Sequence, residues 1–493
     1  MQKTNRRDFL RIAASVSAAV AAGDAKPLYA ESETTAGTVR AWRTSPSEKF
    51  QTVQSPPQWE TGEELSALAI YLDPGAVKQE ILGFGGAFTD ASCYLMSRMS
   101  PDARHALLSD LYGPSGLRLS VGRTCIGTSD YSTKMYSYDD APAPDPELKH
   151  FSIDQDQAWI IPTLREAQEI NSDLYLFSCV WSPPGWMKSG GSMLGGCFQE
   201  RWFATHAQYF VKFLQAYANA GVKVRAVTVN NEVDTDQDGH FPATIWAQQH
   251  EMVFVAFHLG PALEKASLDT KIWILDHNYN LWGRVVDELS RPEVAKYVDG
   301  VAWHSYAGAP DAMTRVHDMF PDKHAYFTEG GPPANLFGPS EQRPRRSDFP
   351  SFGSDWARWS SSFTDMLRNW ARCICVWNLL LDENGRPDLT NPPRPMRRAG
   401  LVSIDTKTQA LTYSGNYYAF PHYSKVIQRG AHVFSSSGSL PGIDHVAAEN
   451  PDKSTVLVVT NRNRAEQRVD CRLRSQVLKV VLPPDSITSL VWS

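Results

Sequence analysis

From Ile81 onward, short apolar runs alternate with longer stretches in which apolar residues return every three or four positions. The short runs read as strands: Ile81 to Phe84, Leu117 to Val121, Tyr175 to Val180, Val224 to Asn230, Ile272 to Asp276, Val301 to His304, Ala325 to Glu329 and Ile374 to Asn378. Between them, Gln157 to Ile170, Arg201 to Ala220 and Ala243 to Lys265 carry the clearest helical period. Eight strands with interleaved helices predict an α/β fold, a (β/α)₈ TIM barrel with insertions. Beyond Pro421 the pattern changes to short strand-like runs separated by turn signals, from His445-Val446-Ala447-Ala448 to Ile487 to Trp492. This tail predicts an accessory antiparallel β-sandwich domain. The run Leu65 to Leu72, ahead of the barrel, reads as a leading strand.

The first thirty residues stand apart. Asn5-Arg6-Arg7-Asp8-Phe9-Leu10-Arg11 precedes a small-residue apolar stretch, Ile12 to Ala22, too short to span a bilayer. The segment resembles a twin-arginine export signal, so the expected partner of the precursor is the Tat machinery and the expected location is periplasmic or secreted. The expected organisation is therefore a signal over 1–30, a linker and leading strand of the sandwich over 31–75, the barrel over 76–420 and the sandwich over 421–493.

Composition narrows the function. Charged residues are 21% of the chain and the net charge is −6, which argues against nucleic acid or an anionic membrane as partner. Arg343-Pro344-Arg345-Arg346 and Arg394 to Arg398 are locally basic but sit among prolines, as solvated loops do. Seven cysteines without a CxxC pair signal neither zinc nor a disulfide framework, and Cys373 and Cys375 read as core thiols on one face of a strand. No integral membrane segment, cofactor or metal is expected.

In a (β/α)₈ barrel the C-terminal ends of the strands build the active site. Here those ends carry Asp90 after the Gly83-Phe84-Gly85-Gly86 turn, Arg123, Trp181, Asn231 with Glu232, Asp276 with His277, His304 with Tyr306, Glu329, and Trp377 with Asn378. Singly, each has an ordinary alternative, such as a helix cap or a hydrogen-bonded core residue. Together they set two carboxylates, an amide and several aromatic rings around one mouth. Glycoside cleavage needs a protonated carboxyl for the leaving oxygen and a second carboxylate on the opposite face of the sugar. Glu232 and Glu329, each closing an apolar run, fit that pair. A raised pKa of Glu232, caused by the charge of Glu329, is the expected source of its acidity.

Six motifs appear in a known order: Gly83-Phe84-Gly85-Gly86-Ala87-Phe88-Thr89-Asp90, Trp181-Ser182-Pro183-Pro184-Gly185-Trp186-Met187-Lys188, Asn230-Asn231-Glu232, His304-Ser305-Tyr306, Thr328-Glu329 and Trp377-Asn378-Leu379. With Gly415-Asn416-Tyr417-Tyr418 and His422-Tyr423-Ser424-Lys425, they resemble glycoside hydrolase family 30, nearest its glucosylceramidase-type branch. The resemblance implies a retaining β-glycosidase acting on a β-linked glucoside or glucan, with Glu232 as acid/base and Glu329 as nucleophile. It implies that Asn231 bonds the sugar 2-OH, that Asp90, Trp181 and Trp377 hold the terminal sugar, and that His304 and Tyr306 support the nucleophile. Val233 stands where the family often has proline, and Ser305 where the nearest relatives carry an aromatic residue. Asp234 to Gly239 begins like a calcium loop, but Ile245 replaces the glutamate at its twelfth position, so an acidic rim loop is expected. A β-xylosidase on the same scaffold, or a binding protein that has lost turnover, are the competing readings.

Overall fold

The computed structural model describes residues 37–62, 68–332, 353–391, 400–438 and 440–493. The export-signal segment, the start of the leading strand and both basic stretches lie outside these residues. Thr38–Ser493 forms one compact unit.

Eight parallel strands close into a barrel in chain order: Gly83–Phe88, Val121–Cys125, Tyr175–Cys179, Val224–Thr228, Lys271–Asn278, Val298–His304, His324–Glu329 and Ala371–Val376. The last pairs with the first from Cys373 opposite Gly83 to Val376 opposite Gly86. Glycine is required where the first strand meets the second, since a Cβ on Gly85 would lie 1.7 Å from the Val121 carbonyl oxygen. The interior is a packed core of Val121, Phe177, Ala226, Trp273, Ala302, Tyr326, Cys373 and Cys375, all buried. The two cysteines are core thiols, as their spacing predicted.

The second strand differs from its expected position. Leu117 to Val121 was the apolar run, but the strand is Val121–Cys125, fully buried along its length. Arg123 therefore stands within the strand and not after it. Reading apolarity alone ends a strand at an arginine, and the paired charges that let this one stay buried come from other strands.

The second domain is a 10-stranded, mostly antiparallel sheet made by strands from both ends of the described chain. The leading strand, Ala69–Glu80, pairs antiparallel with His432–Ser437 on one side and parallel with Gln467–Leu473 on the other. Trp59, on the edge strand at one end of the order, packs edge-on against Trp492 near the other end at 5.3 Å, so the sheet doubles back into a sandwich. Barrel and sandwich are joined through the helix Trp356–Arg368. Trp356 Nε1 donates to the Asp485 carbonyl (2.8 Å), Ser360 and Thr460 hydroxyls meet at 2.6 Å, and Arg368 reaches the Ser436 and His445 carbonyls at 3.0 Å. No helix among the described residues is long and apolar enough to cross a membrane.

Candidate active site

A buried guanidinium organises the mouth of the barrel. Arg123 donates from Nη1 to Glu329 Oε2 (2.5 Å), and from Nη2 to Asn231 Oδ1 (2.8 Å) and Asp276 Oδ2 (2.9 Å). Its flat face lies over Trp181 at 4.8 Å and Trp377 at 5.2 Å, and those two indoles stack on each other at 5.1 Å. Four strands are thereby tied to one side chain. Burial opposes the charge on Arg123, but Asp276, Glu329 and their neighbours outweigh it and raise its pKa further.

Asp276 is the second hub. Its Oδ1 accepts from Thr328 (2.7 Å) and faces His304 Nε2 (3.0 Å), while Oδ2 also accepts from Thr228 (2.7 Å). Burial pushes the Asp276 carboxyl up, yet Arg123 and His304 hold it well below the usual carboxylate range. Leu275 and Asp276 both have positive φ (73° and 46°), which twists the strand end so that the carboxylate turns inward.

Glu232 also sits in the left-handed region, at φ 53°. Its amide donates to the Asp276 carbonyl (2.9 Å), which anchors this strained residue to the neighbouring strand end. Oε1 lies 3.4 Å from His304 Nδ1 and 3.8 Å from His277 Nδ1, and Oε2 accepts a hydrogen bond from Gln237. Glu329, closing the seventh strand, is bound on its other oxygen by the Tyr306 hydroxyl at 2.8 Å. The Ser305 hydroxyl laces the turn after Glu329 by accepting from the Gly331 amide (2.9 Å) and reaching its carbonyl (2.7 Å).

Several sequence expectations need correction. Asp90 is 1% exposed, and its oxygens already accept from the Thr133 amide (2.6 Å) and Trp159 Nε1 (2.8 Å). The first strand runs on to Phe88 and Thr89 caps the next helix, so Asp90 falls in the first turn of that helix, turned toward the rim loop. Asn378 is likewise a brace, accepting from the Thr89 hydroxyl at 2.8 Å. His304 bonds Glu232 and Asp276, so it supports the expected acid and not the nucleophile; Tyr306 alone of the two bonds Glu329.

The expected pKa of Glu232 is also reversed. Burial raises it, but the hydrogen bond from His304 and the charges of His277, His304 and Arg123 bring the carboxyl below its ordinary value. Burial lowers His304, while Glu329, Asp276 and Glu232 lift it to about 9. Both shifts favour a charged imidazole beside an ionised carboxylate. Because the folded value lies above the ordinary 6.5, the stabilisation is complete below pH 6.5 and is lost as pH rises through about 9. Urea midpoints measured across this window should fall for the native chain, and the fall should flatten in His304→Asn.

One residue was missed. Asp130, on the loop leaving the second strand, is pushed well up by burial and by the charges of Glu329 and Glu232. Placing the end of that strand at Cys125 would have brought Thr128-Ser129-Asp130-Tyr131 to notice, and Tyr131 does pack edge-on against Trp377 at 6.1 Å. The acidic loop after Glu232 folds back over the site: Asp234 pairs with His277 Nε2 at 2.6 Å and Gln237 with Glu232. The partly exposed groups Glu232, Tyr306 and Trp377 ring the opening, and the buried ones lie beneath.

A closed barrel whose mouth holds two strand-end carboxylates, an adjacent amide and stacked indoles is the framework of a glycoside hydrolase. Comparison with known proteins makes the assignment specific. The chain matches the glycosyl hydrolase family 30 TIM-barrel domain over residues 81–427 and the family 30 beta sandwich domain over residues 430–490. It belongs to glycoside hydrolase family 30. It is 33% identical over 404 residues to an endo-1,6-beta-D-glucanase of Neurospora crassa, spanning 79% of this chain and 80% of that one. It is 32% identical over 451 residues to the lysosomal acid glucosylceramidase of Mus musculus, spanning 87% and 84%. A solved endo-beta1,6-glucanase structure superposes with a TM-score of 0.79 at 26% identity, covering 93% of this chain and all 100% of that one. SrfJ from Salmonella typhimurium superposes with a TM-score of 0.82 at 25% identity, covering 92% and 99%.

Proposed function

We propose that this glycosidase cleaves β-1,6-linked glucan with retention of configuration. Glu329 attacks the anomeric carbon and Glu232 serves the leaving oxygen and then the incoming water. The observation that carries the assignment of roles is the unequal surroundings of the two carboxylates. Glu329 is clamped between Arg123 Nη1 (2.5 Å) and the Tyr306 hydroxyl (2.8 Å), which hold it aimed. Glu232 instead adjoins an imidazole that carries a proton, and the His304–Glu232 pair supplies that proton to the leaving group. Asn231, fixed through Arg123, presents its amide nitrogen to the sugar ring, and the Trp181–Trp377 stack offers an apolar wall.

Support for the linkage comes from the endo-1,6-beta-D-glucanase relatives, including those of Trichoderma harzianum (31%) and Aspergillus fumigatus (30%). A second reading, hydrolysis of glucosylceramide, is favoured by the murine relative at 32% identity over 451 residues. Assaying β-1,6-glucan, glucosylceramide and an aryl β-xyloside side by side, with NMR of the first-formed anomer, distinguishes them. The β-anomer from β-1,6-glucan is expected, and an α-anomer as first product would sink the mechanism. Glu232→Gln should lose the alkaline limb of the pH–rate profile and regain turnover on an activated aryl glucoside when azide is added. Activity that azide leaves untouched would reassign the acid/base.

A further inference from the structure

We propose that the rim loop leaving the second barrel strand holds a divalent transition-metal ion of the zinc type on Asp139, Asp145 and His150. Each residue offers one ligand atom, and these atoms lie within 4.8 Å of one another. Asp139 supplies the decisive observation. It is 0% exposed, and neither of its carboxylate oxygens has a hydrogen-bond partner. A buried carboxylate without donors is costly, and a cation is what such a group lacks. Asp145 is oriented beside it: its Oδ2 accepts from the His150 amide (2.9 Å) and lies 3.0 Å from His150 Nδ1. The imidazole is 60% exposed at its side chain, which leaves an entry path from solvent.

The donor set selects the ion. One imidazole nitrogen with two carboxylates suits zinc and its neighbours, and water can complete the tetrahedron. Calcium requires six to eight oxygens, which these residues do not provide. The other charged groups nearby place their hydrogen bonds elsewhere, although the Lys212 charge also acts on Asp139. Lys212, on the facing helix Phe203–Asn219, directs its ammonium to the Leu148 carbonyl at 2.6 Å. Asp140 accepts from the Ser137 amide and hydroxyl, the latter at 2.6 Å.

The position suggests what the ion does. The Asp139 carbonyl accepts from Trp186 Nε1 at 3.0 Å, and Trp186 belongs to the segment that follows the third strand. A metal on Asp139 would therefore clamp two neighbouring loops of the substrate rim together, away from Glu232 and Glu329.

The test is calorimetric titration of zinc into the full chain after chelation and dialysis, with the unfolding midpoint followed in parallel and magnesium and calcium run as comparisons. One zinc per chain and a raised midpoint are expected with zinc and not with the other two ions. His150→Ala removes an exposed ring and should fold normally, yet bind zinc at least tenfold more weakly. Asp139→Asn should be no less stable than the native chain without metal and should lose the zinc response. Absence of zinc binding, an equal response to calcium, or a response unchanged in His150→Ala would overturn the proposal. The last of these would place the ion on the only other such cluster among the described residues, Glu232, His277 and His304.

Discussion

Glu329→Gln is expected to lower kcat on β-1,6-glucan by about four orders of magnitude while leaving the chain folded, since removing a nucleophile costs on this scale in covalent mechanisms. The substitution keeps the shape and one acceptor oxygen, so the Tyr306 hydroxyl retains its partner at 2.8 Å. Arg123 loses its bond to Oε2 but keeps the Asp276 carboxylate at 2.9 Å, so no uncompensated buried charge is created. The loss should therefore fall on the chemical step. The amide is a far weaker nucleophile than the carboxylate, and the covalent glycosyl-enzyme cannot form. Steady-state kinetics together with the unfolding midpoint would check this. A variant with more than a tenth of native kcat and an unchanged midpoint would remove Glu329 from the reaction.

Arg123→Ala should have the largest effect on stability, a loss of about 3–5 kcal/mol, the usual result of breaking a buried ion pair by deleting one partner. Asp276 and Arg123 are both 0% exposed at their side chains, so the deletion leaves a buried carboxylate without its cation. The same deletion frees Asn231 and Glu329, so kcat should fall as well. Arg123→Lys preserves a positive charge but not the fork that reaches Glu329, Asn231 and Asp276 together, and should lie between native and alanine in both properties. Urea unfolding of the three proteins reports the stabilities. A loss below about 1 kcal/mol in Arg123→Ala, the range of exposed pairs, would show that the hub is dispensable.

These two predictions rest on residues that were unequally legible. Glu329 could be read because Ala325-Tyr326-Phe327-Thr328 is apolar enough to declare a strand, and a carboxylate at its end has few structural reasons to be there. Glu232 was readable for the same reason. The place of Arg123 was not, because a strand that carries an arginine and a threonine inward does not look like a strand until its partners are known. Asp90 drew attention through the glycine motif before it, whereas Asp130, in a plain loop, did not, although the charges of Glu329 and Glu232 act on it. The role of His304 depended on which carboxylate its ring nitrogens met, and two positive-φ residues in another strand, Leu275 and Asp276, decided that.

The chain by itself determined the barrel, the sandwich and the two strand-end carboxylates proposed for catalysis, because apolar periodicity and strand-end position are local properties and six motifs keep their order. Tertiary structure alone decided the protonation of the site and the direction in which each polar side chain points. Those depend on distances between strands far apart in sequence, such as the 3.0 Å between His304 and Asp276 and the 2.5 Å between Arg123 and Glu329. Coulomb energy and hydrogen bonding act through space, and no pattern along the chain encodes them.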